Sequence, residues 1–149
     1  MRFTKMEGLG NDYIYLNCLS HRPPDPAGLA VRLSDRHFGV GADGLICVCP
    51  GRRGDFAMEM YNADGSRGKM CGNGIRCLGK YVYDKGLTRR TSLQVDTDSG
   101  LRALRLLPGP AGIGQVEVDM GEPSVFPQIS IPLMELTYSV MPVSMGNPH

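Results

Sequence analysis

The sequence carries almost no net charge, because 16 lysines and arginines against 15 aspartates and glutamates leave +1 over 149 residues. This balance favours neither nucleic acid nor an acidic membrane surface as a partner. No apolar stretch is long enough for a signal peptide or a membrane-spanning helix. We therefore expect a cytoplasmic protein that contacts no membrane and no nucleic acid.

The sequence also lacks the patterns of metal and nucleotide sites. Its five cysteines, at positions 18, 47, 49, 71 and 77, contain no CxxC pair, which disfavours disulfide frameworks and zinc ribbons. We expect no metal. The glycine-rich segment RHFGVGADG (36–44) lacks the lysine of a phosphate-binding loop, so no nucleotide is assigned to it.

What the sequence does contain is turn residues and alternating patterns. Twenty glycines and eleven prolines separate short segments in which apolar residues alternate with others, as in strands. Two segments have helical signals. One has Asp25 as N-cap and Pro26 in its first turn, and the other runs from GNGIRC to a stop at Gly86. The second helix is mostly apolar, which predicts burial.

The order of these elements has no regular strand–helix–strand rhythm. The prediction is an α+β fold in which the strands wrap around the second, central helix. The proline-bearing segment 121–136 is interpreted as a connection between two bodies. We expect the sheet core to be built mostly from residues 1–120. The predicted strands are 2–6, 11–18, 45–49, 55–62, 92–97, 101–107, 115–120 and 136–145.

The segment MCGNGIRC (70–77) places a thiol at the start of the central helix. Gly72, Asn73 and Gly74 would present unpaired backbone N–H groups, which favour an anion such as a substrate carboxylate. The same positive end of the helix stabilises a thiolate at Cys71. Two interpretations stay open: a reactive base beside a bound carboxylate, or a small buried side chain. Cys77 lies on another face of the helix, and packing is its favoured role.

Two asparagines near turns are further candidates. Asn11, in GLGND, and Asn62, in YNADGS, could hold the polar end of a small ligand through their amides, or could simply belong to turns. The chain closes on SMGNPH, where a terminal His149 is ordinarily a frayed end.

Six segments together resemble the diaminopimelate epimerase family: KMEGLGNDY, GVGADG, YNADGS, MCGNGIRC, DMGEP and VSMGNPH, in matching order and spacing. The resemblance implies an isomerase without a cofactor that interconverts LL- and meso-2,6-diaminopimelate in lysine and cell-wall biosynthesis. It also implies two similar halves, each a curved, mostly antiparallel sheet wrapped around a central helix, with the site between them, and a homodimer. On this basis residues 1–120 are the N-terminal domain, and residues 121–149 are the crossover and the start of the second, similar domain.

The resemblance assigns roles to individual residues. Cys71 matches the family's first catalytic cysteine, while Gly44 falls where some members carry a substrate-contacting glutamine and Glu7 where many have histidine. Gly72 and Asn73 match backbone donors to the carboxylate, and His149 matches a histidine beside the reacting centre. The matching substrate-binding positions are Asn11, Asn62, Gly72, Asn73, Asn147 and His149.

The family's second cysteine stands in a motif that is absent here, so we expect about half an enzyme, inactive without a C-terminal half. Two alternatives remain. One is a proline racemase-like isomerase of the same fold. The other is a module that binds an amino-acid carboxylate without catalysis.

Overall fold

The computed structural model describes residues 1–110 and 112–145, which form two compact units, Met1–Asp119 and a second that begins at Met120. Seven of the predicted strands occur in the first unit, within a few residues of their expected bounds. Its elements are β1 (Thr4–Gly8), β2 (Asn11–Asn17), α1 (Pro26–Ser34), β3 (Gly44–Pro50), β4 (Phe56–Asn62), β5 (Arg67–Gly68), α2 (Gly72–Asp84), β6 (Ser92–Thr97), β7 (Gly100–Gly109) and β8 (Gly112–Val118).

The first unit is built on one sheet with the order β1-β2-β3-β4-β6-β7-β8, and β5 pairs with β4. Neighbours are antiparallel except β2 with β3 and β4 with β6. Each parallel pair is connected through a helix, because parallel neighbours need a crossover. The sheet therefore contains strand–helix–strand connections at these two places, without a regular strand–helix–strand rhythm along the chain. The mostly antiparallel α+β class is confirmed.

Helix α2 lies inside the curve of this sheet. It packs against β1 and β2 near one edge and against β7 and β8 at the other, so the sheet must bend around it. Ile75, Leu78 and Val82 are completely buried along this helix. Gly86, with φ +67°, follows the helix as the predicted stop. The central, buried helix is thus confirmed.

Helix α1 covers the opposite face of the sheet. The Asp25 carboxylate caps it by accepting a 2.8 Å hydrogen bond from the Gly28 N–H, as its position before Pro26 predicts. Ala30 of this helix packs in a core that contains Cys47 and Cys49 of β3. Those two thiols are therefore packing groups.

The second unit contains β9 (Ser124–Val125), β10 (Ile129–Leu133), β11 (Leu136–Val140) and β12 (Val143–Ser144), with β10 paired to β11 and β9 to β12. The strand predicted over 136–145 is thus two strands. Residues 121–136, with their prolines, were expected to be a connection, yet they hold β9 and β10. Pro132 is accommodated because β10 belongs to a two-stranded hairpin with an open edge. Neither helix among the described residues is long and apolar enough to cross a membrane.

Candidate active site at the start of helix α2

The N-terminal end of α2 is built around Cys71. This residue has extended backbone angles, φ −124° and ψ 120°, and is the N-cap of the helix. Its carbonyl accepts a 2.8 Å hydrogen bond from the Ile75 N–H, and its sulfur accepts from the Gly74 N–H at 3.4 Å. Cys71 is half-buried, whereas the other four cysteines are buried and all five are free thiols. The sequence candidate is therefore the one thiol with substantial access to solvent.

The first turn of α2 is held against the sheet by close contacts. The buried Tyr15 hydroxyl, on β2, donates a 2.9 Å hydrogen bond to the Gly74 carbonyl. Gly74 also allows the helix to lie close to β3, because a Cβ at this position would be 2.8 Å from the Cδ1 atom of Ile46. The N–H groups of Gly72 and Asn73 have no acceptor within the helix, since they belong to its first turn. The helix therefore presents fixed donors beside the thiol.

The side chain of Asn73 is bonded directly to Asn11, so the structure brings these two predicted residues together. Asn73 Nδ2 donates to Asn11 Oδ1 at 2.7 Å, and Asn11 Nδ2 donates to Asp43 Oδ2 at 3.1 Å. At the other end, the Arg76 guanidinium donates to Asn73 Oδ1 at 2.5 Å. Arginine can only donate and a carboxylate only accept, so the two ends fix the orientation of both amides.

Charged residues hold the Asp43 end of this chain in place. Arg36 donates to Asp43 at 2.9 Å and to both carboxylate oxygens of Asp12, at 2.8 and 3.1 Å, while Lys5 lies 3.0 Å from Asp12. The hydrogen bond from Arg36 holds the pKa of Asp12 well below its usual range, against the opposing effect of burial. Asp12 thus remains a carboxylate at neutral pH and keeps Arg36 beside Asp43.

Asn62 lies at the end of β4, directly opposite Gly44, which in turn lies opposite Tyr13 on β2. Residues opposite one another in a sheet point to the same face, so the Asn62 side chain shares a face with Tyr13. Its Nδ2 donates to Ser66 Oγ at 2.9 Å, within the following turn. Asn62 is therefore held by its own turn rather than by the chain of bonds through Asn11.

Gly44 has no room for a larger side chain. A Cβ there would lie 2.2 Å from the Tyr61 carbonyl oxygen and 3.1 Å from Cε1 of Tyr13. Glu7 accepts a hydrogen bond from the Gly10 N–H at 2.9 Å, so it shapes the turn between β1 and β2. Asn147 and His149 lie outside the described residues, and their roles stay predictions.

Sequence reasoning missed three residues of this site: Tyr13, Asp43 and Arg76. Each stands inside a motif that was recognised. Tyr13 and Asp43 contribute through residues distant in sequence, Gly44 and Asn11 respectively. Arg76 instead donates to Asn73, three residues before it on the same helix. The signal available was their place in those motifs beside Asn11, Gly44 and Asn73. Among the described residues no group of three histidine, cysteine or acidic side chains could hold a metal ion.

Comparison with known sequences gives one family. The profile described as diaminopimelate epimerase matches residues 3–126. A diaminopimelate epimerase of Acetivibrio thermocellus is 47% identical, one of Agathobacter rectalis 45% and one of Methanococcus maripaludis strain C5 43%, each over the whole of this chain. The chain spans 58%, 59% and 58% of those proteins, respectively.

Solved structures share the fold at much lower identity. A hydroxyproline epimerase from Agrobacterium vitis superimposes with a TM-score of 0.67 at 14% identity, covering 93% of this chain and 48% of that one. A probable proline racemase from Agrobacterium radiobacter K84 gives a TM-score of 0.68 at 14% identity, with 95% and 48% coverage. At this identity the likeness shows the fold alone.

Proposed function

The chain belongs to the diaminopimelate epimerase family, and we propose that it supplies one half of an enzyme that interconverts LL- and meso-2,6-diaminopimelate in lysine biosynthesis. The observation that carries the proposal is the half-buried Cys71 thiol at the first turn of a fixed, buried helix. Identities of 43–47% with diaminopimelate epimerases, against 14% with racemase-like structures, favour this substrate over proline.

The N-terminal end of α2 would bind the carboxylate at the reacting carbon. The N–H groups of Gly72 and Asn73 point out of the first turn, where the helix dipole favours a negative charge. The Gly74 N–H is directed to the sulfur of Cys71 instead, at 3.4 Å. One helix end therefore provides separate donors for the carboxylate and for the base, which supports placing the two groups side by side.

Cys71 would act as one of two bases. Its thiolate removes the α-proton, so an S–H bond forms as the C–H bond breaks, and the electron pair moves into the carboxylate as an enediolate. The backbone donors at the helix end stabilise the charge that develops there. A second thiol, on the opposite face of the carbon, then delivers a proton and inverts the centre.

Asn11 and Asn62 would bind the rest of the substrate through their amides. The fixed orientation of Asn11, between Asn73 and Asp43, supports this role because a preset amide loses little freedom when a ligand binds. Asn62 would line the same region as Asn11. It pairs with Gly44, which pairs with Tyr13, and Tyr13 lies two residues after Asn11 on β2.

The second cysteine would come from a C-terminal half. The support is that this chain spans 58% of the length of the Acetivibrio thermocellus relative. The second unit supports it too, because apolar side chains of its strands are exposed, including Ile129, Leu133, Leu136 and Val143. Sheets with such surfaces are normally covered by further protein. A homodimer stays a prediction from the resemblance.

The proposed compartment is the cytoplasm. Cys71 must be reduced to act as a base, and the four buried cysteines are free thiols as well. Reducing conditions preserve such a set of thiols.

The test is protection of Cys71 from alkylation. The chain is treated with iodoacetamide, with and without LL-diaminopimelate, and modification of each cysteine-containing peptide is followed by mass spectrometry. We expect Cys71 to react first and diaminopimelate to slow its reaction. Cadaverine, which has the same two amines and no carboxylates, should give no protection. Equal rates with and without saturating diaminopimelate would overturn the proposal.

A module that binds without catalysis is the alternative outcome. It predicts that a Cys71→Ala chain binds diaminopimelate in calorimetry, and that a protein completed with a second half still exchanges no α-proton. If the completed protein does exchange the α-proton, and substitution of Cys71 abolishes that exchange, the non-catalytic alternative is excluded.

A further inference from the structure

The two-residue turn between β1 and β2 lies at the candidate site itself. Gly8 pairs with Asn11 across this hairpin, and the turn between them is Leu9 and Gly10. Asn11 accepts the 2.7 Å hydrogen bond from Asn73, and a Cβ at Gly8 would lie 3.6 Å from the Cβ of Asn73. Both ends of the turn are therefore close to the first turn of α2, and Leu9 stands at the rim of the site.

Leucine is an unfavourable residue at this position of the turn. Leu9 has a φ of +55° and Gly10 a φ of +88°. A two-residue hairpin with positive φ at both positions favours Asn-Gly or Asp-Gly, and other side chains are strained at the first position. Leu9 is 85% exposed, so it gains no burial that offsets this strain. An exposed leucine is ordinary by itself, but one held on a strained backbone indicates a contact made outside the described residues.

A second exposed apolar side chain lies on the loop that leads from α1 to β3. The ring of Phe38 is 97% exposed. Its backbone is nevertheless held, because Asp35 Oδ1 accepts hydrogen bonds from the N–H groups of His37 and Phe38, at 2.7 and 2.8 Å. An ordered loop thus holds this ring in solvent.

Arg36 fixes these two segments to each other; we call residues 8–11 and 35–43 the rim loops. Arg36 donates to both carboxylate oxygens of Asp12, directly after the first rim loop, at 2.8 and 3.1 Å. It also donates to Asp43, at the end of the second rim loop, at 2.9 Å. Two exposed apolar side chains therefore stand on loops that are joined to the same polar chain at the site.

We propose that Leu9 and Phe38 are the contacts through which the C-terminal half closes over the site. This inference rests on the proposed function, in which a second thiol acts on the opposite face of the carbon from Cys71. Both sulfurs must reach the same carbon, so the protein that carries the second one must reach the rim loops. This chain spans 58% of the Acetivibrio thermocellus relative, and the rest of that protein is the occupant we assign. Burial of Leu9 against it offsets the strain of the turn.

The first test uses Leu9→Asn, for which the proposal predicts opposite effects in two proteins. In the 149-residue chain the urea midpoint should rise by about 0.5 M, because asparagine tolerates positive φ better than leucine. The second protein is a fusion of this chain with the remaining C-terminal part of the Acetivibrio thermocellus relative. There the same change should slow exchange of the α-proton of LL-diaminopimelate about tenfold at subsaturating substrate, because burial of a leucine is lost.

Two further variants separate the contact from the strain. Phe38→Ser relieves no strain, so it should leave the urea midpoint of the chain unchanged and still slow exchange by the fusion. Val31→Thr is the control, because Val31 is exposed on α1, outside the rim loops. It should leave exchange unchanged. Parent rates in both Leu9→Asn and Phe38→Ser fusions would overturn the proposal.

A second measurement requires no turnover. Hydroxyl-radical labelling followed by peptide mass spectrometry reports how accessible each side chain is. Leu9 and Phe38 should be oxidised readily in the 149-residue chain and lose most of this labelling in the fusion, while Val31 keeps its own.

The outcomes of this labelling distinguish the possible occupants. Unchanged labelling of Leu9 and Phe38 in the fusion would overturn the proposal. Protection that appears in the 149-residue chain as its concentration rises would also overturn it, because a second copy would then cover the rim loops. An inactive fusion in which both side chains are protected would support this inference and contradict the proposed function, so the two failures are distinct.

Discussion

Gly79 shows how closely α2 is packed against the sheet that positions its N-terminal end. A Cβ at this position would lie 2.9 Å from Cδ2 of Leu106, 3.0 Å from Cδ2 of Leu104 and 3.3 Å from Cγ1 of Val116. Leu104 and Leu106 are 2% and 1% exposed, so neither can move into solvent. Gly79→Ala therefore forces a methyl group into filled space.

Two opposing effects set the change in the free energy of unfolding that Gly79→Ala causes. Alanine gains about 1 kcal/mol over glycine in a helix interior from its higher propensity. Overpacking a close-packed core costs about 1–3 kcal/mol. With three branched side chains in the way, we expect the second effect to win and the free energy of unfolding to fall by about 1 kcal/mol.

The assay is urea unfolding followed by circular dichroism. With a slope of about 2 kcal/mol per molar, Gly79→Ala should lower the urea midpoint by about 0.5 M. Leu106→Ala alone should cost about 2–5 kcal/mol. In the double variant the methyl group added at position 79 partly fills the space left by Leu106, so the loss should be smaller than the sum. The reasoning would be refuted if the two losses of stability added exactly in the double variant, or if Gly79→Ala were more stable than the parent.

Three further predictions follow from other contacts. Asp25→Ala removes the cap of α1 and should lower the free energy of unfolding by about 1 kcal/mol in urea titrations, whereas an unchanged midpoint would contradict the cap. The pKa of Asp12 is lower in the folded chain than in the unfolded chain, where it is about 3.9. The contribution of Asp12 to the free energy of unfolding is therefore present above about pH 3.9, and it is lost as the pH falls from there toward the folded pKa. The parent should therefore lose more stability than Asp12→Asn between pH 6 and pH 2, and parallel losses would oppose this account. The purified 149-residue chain should show no LL-to-meso conversion by chromatography, because the proposed mechanism takes its second base from a C-terminal half. Measurable conversion would contradict the need for a second half.

Much of the first unit could be predicted because local signals agree with the tertiary structure. The glycines before Ile75 and the stop at Gly86 delimit α2, and Asp25 with Pro26 marks the start of α1. The second unit shows the limit of such signals. The prolines of residues 121–136, Pro132 among them, indicate a connection, but an open edge in the hairpin accommodates Pro132 within a strand.

The site was only partly predictable for a different reason. Cys71, Gly72 and Asn73 are neighbours in sequence, so the helix start alone brings them together. The bonds of Asn11 with Asp43 and with Asn73 depend on the register between β2 and its neighbours and on where α2 meets the sheet. A single sequence does not specify that register, because alternation assigns the faces of a strand and not its partner.

The most direct test of the central claim completes the protein. All 149 residues are joined to the remaining C-terminal part of the Acetivibrio thermocellus relative, and loss of the α-proton signal of LL-diaminopimelate in D₂O is followed by proton NMR. Cys71→Ala and Cys77→Ala serve as the matched pair, since both lie at α2 and Cys77 is buried. The account predicts exchange by the fusion and by Cys77→Ala, and a loss of at least about 100-fold in Cys71→Ala. Exchange by the Cys71→Ala fusion at the parent rate would contradict it.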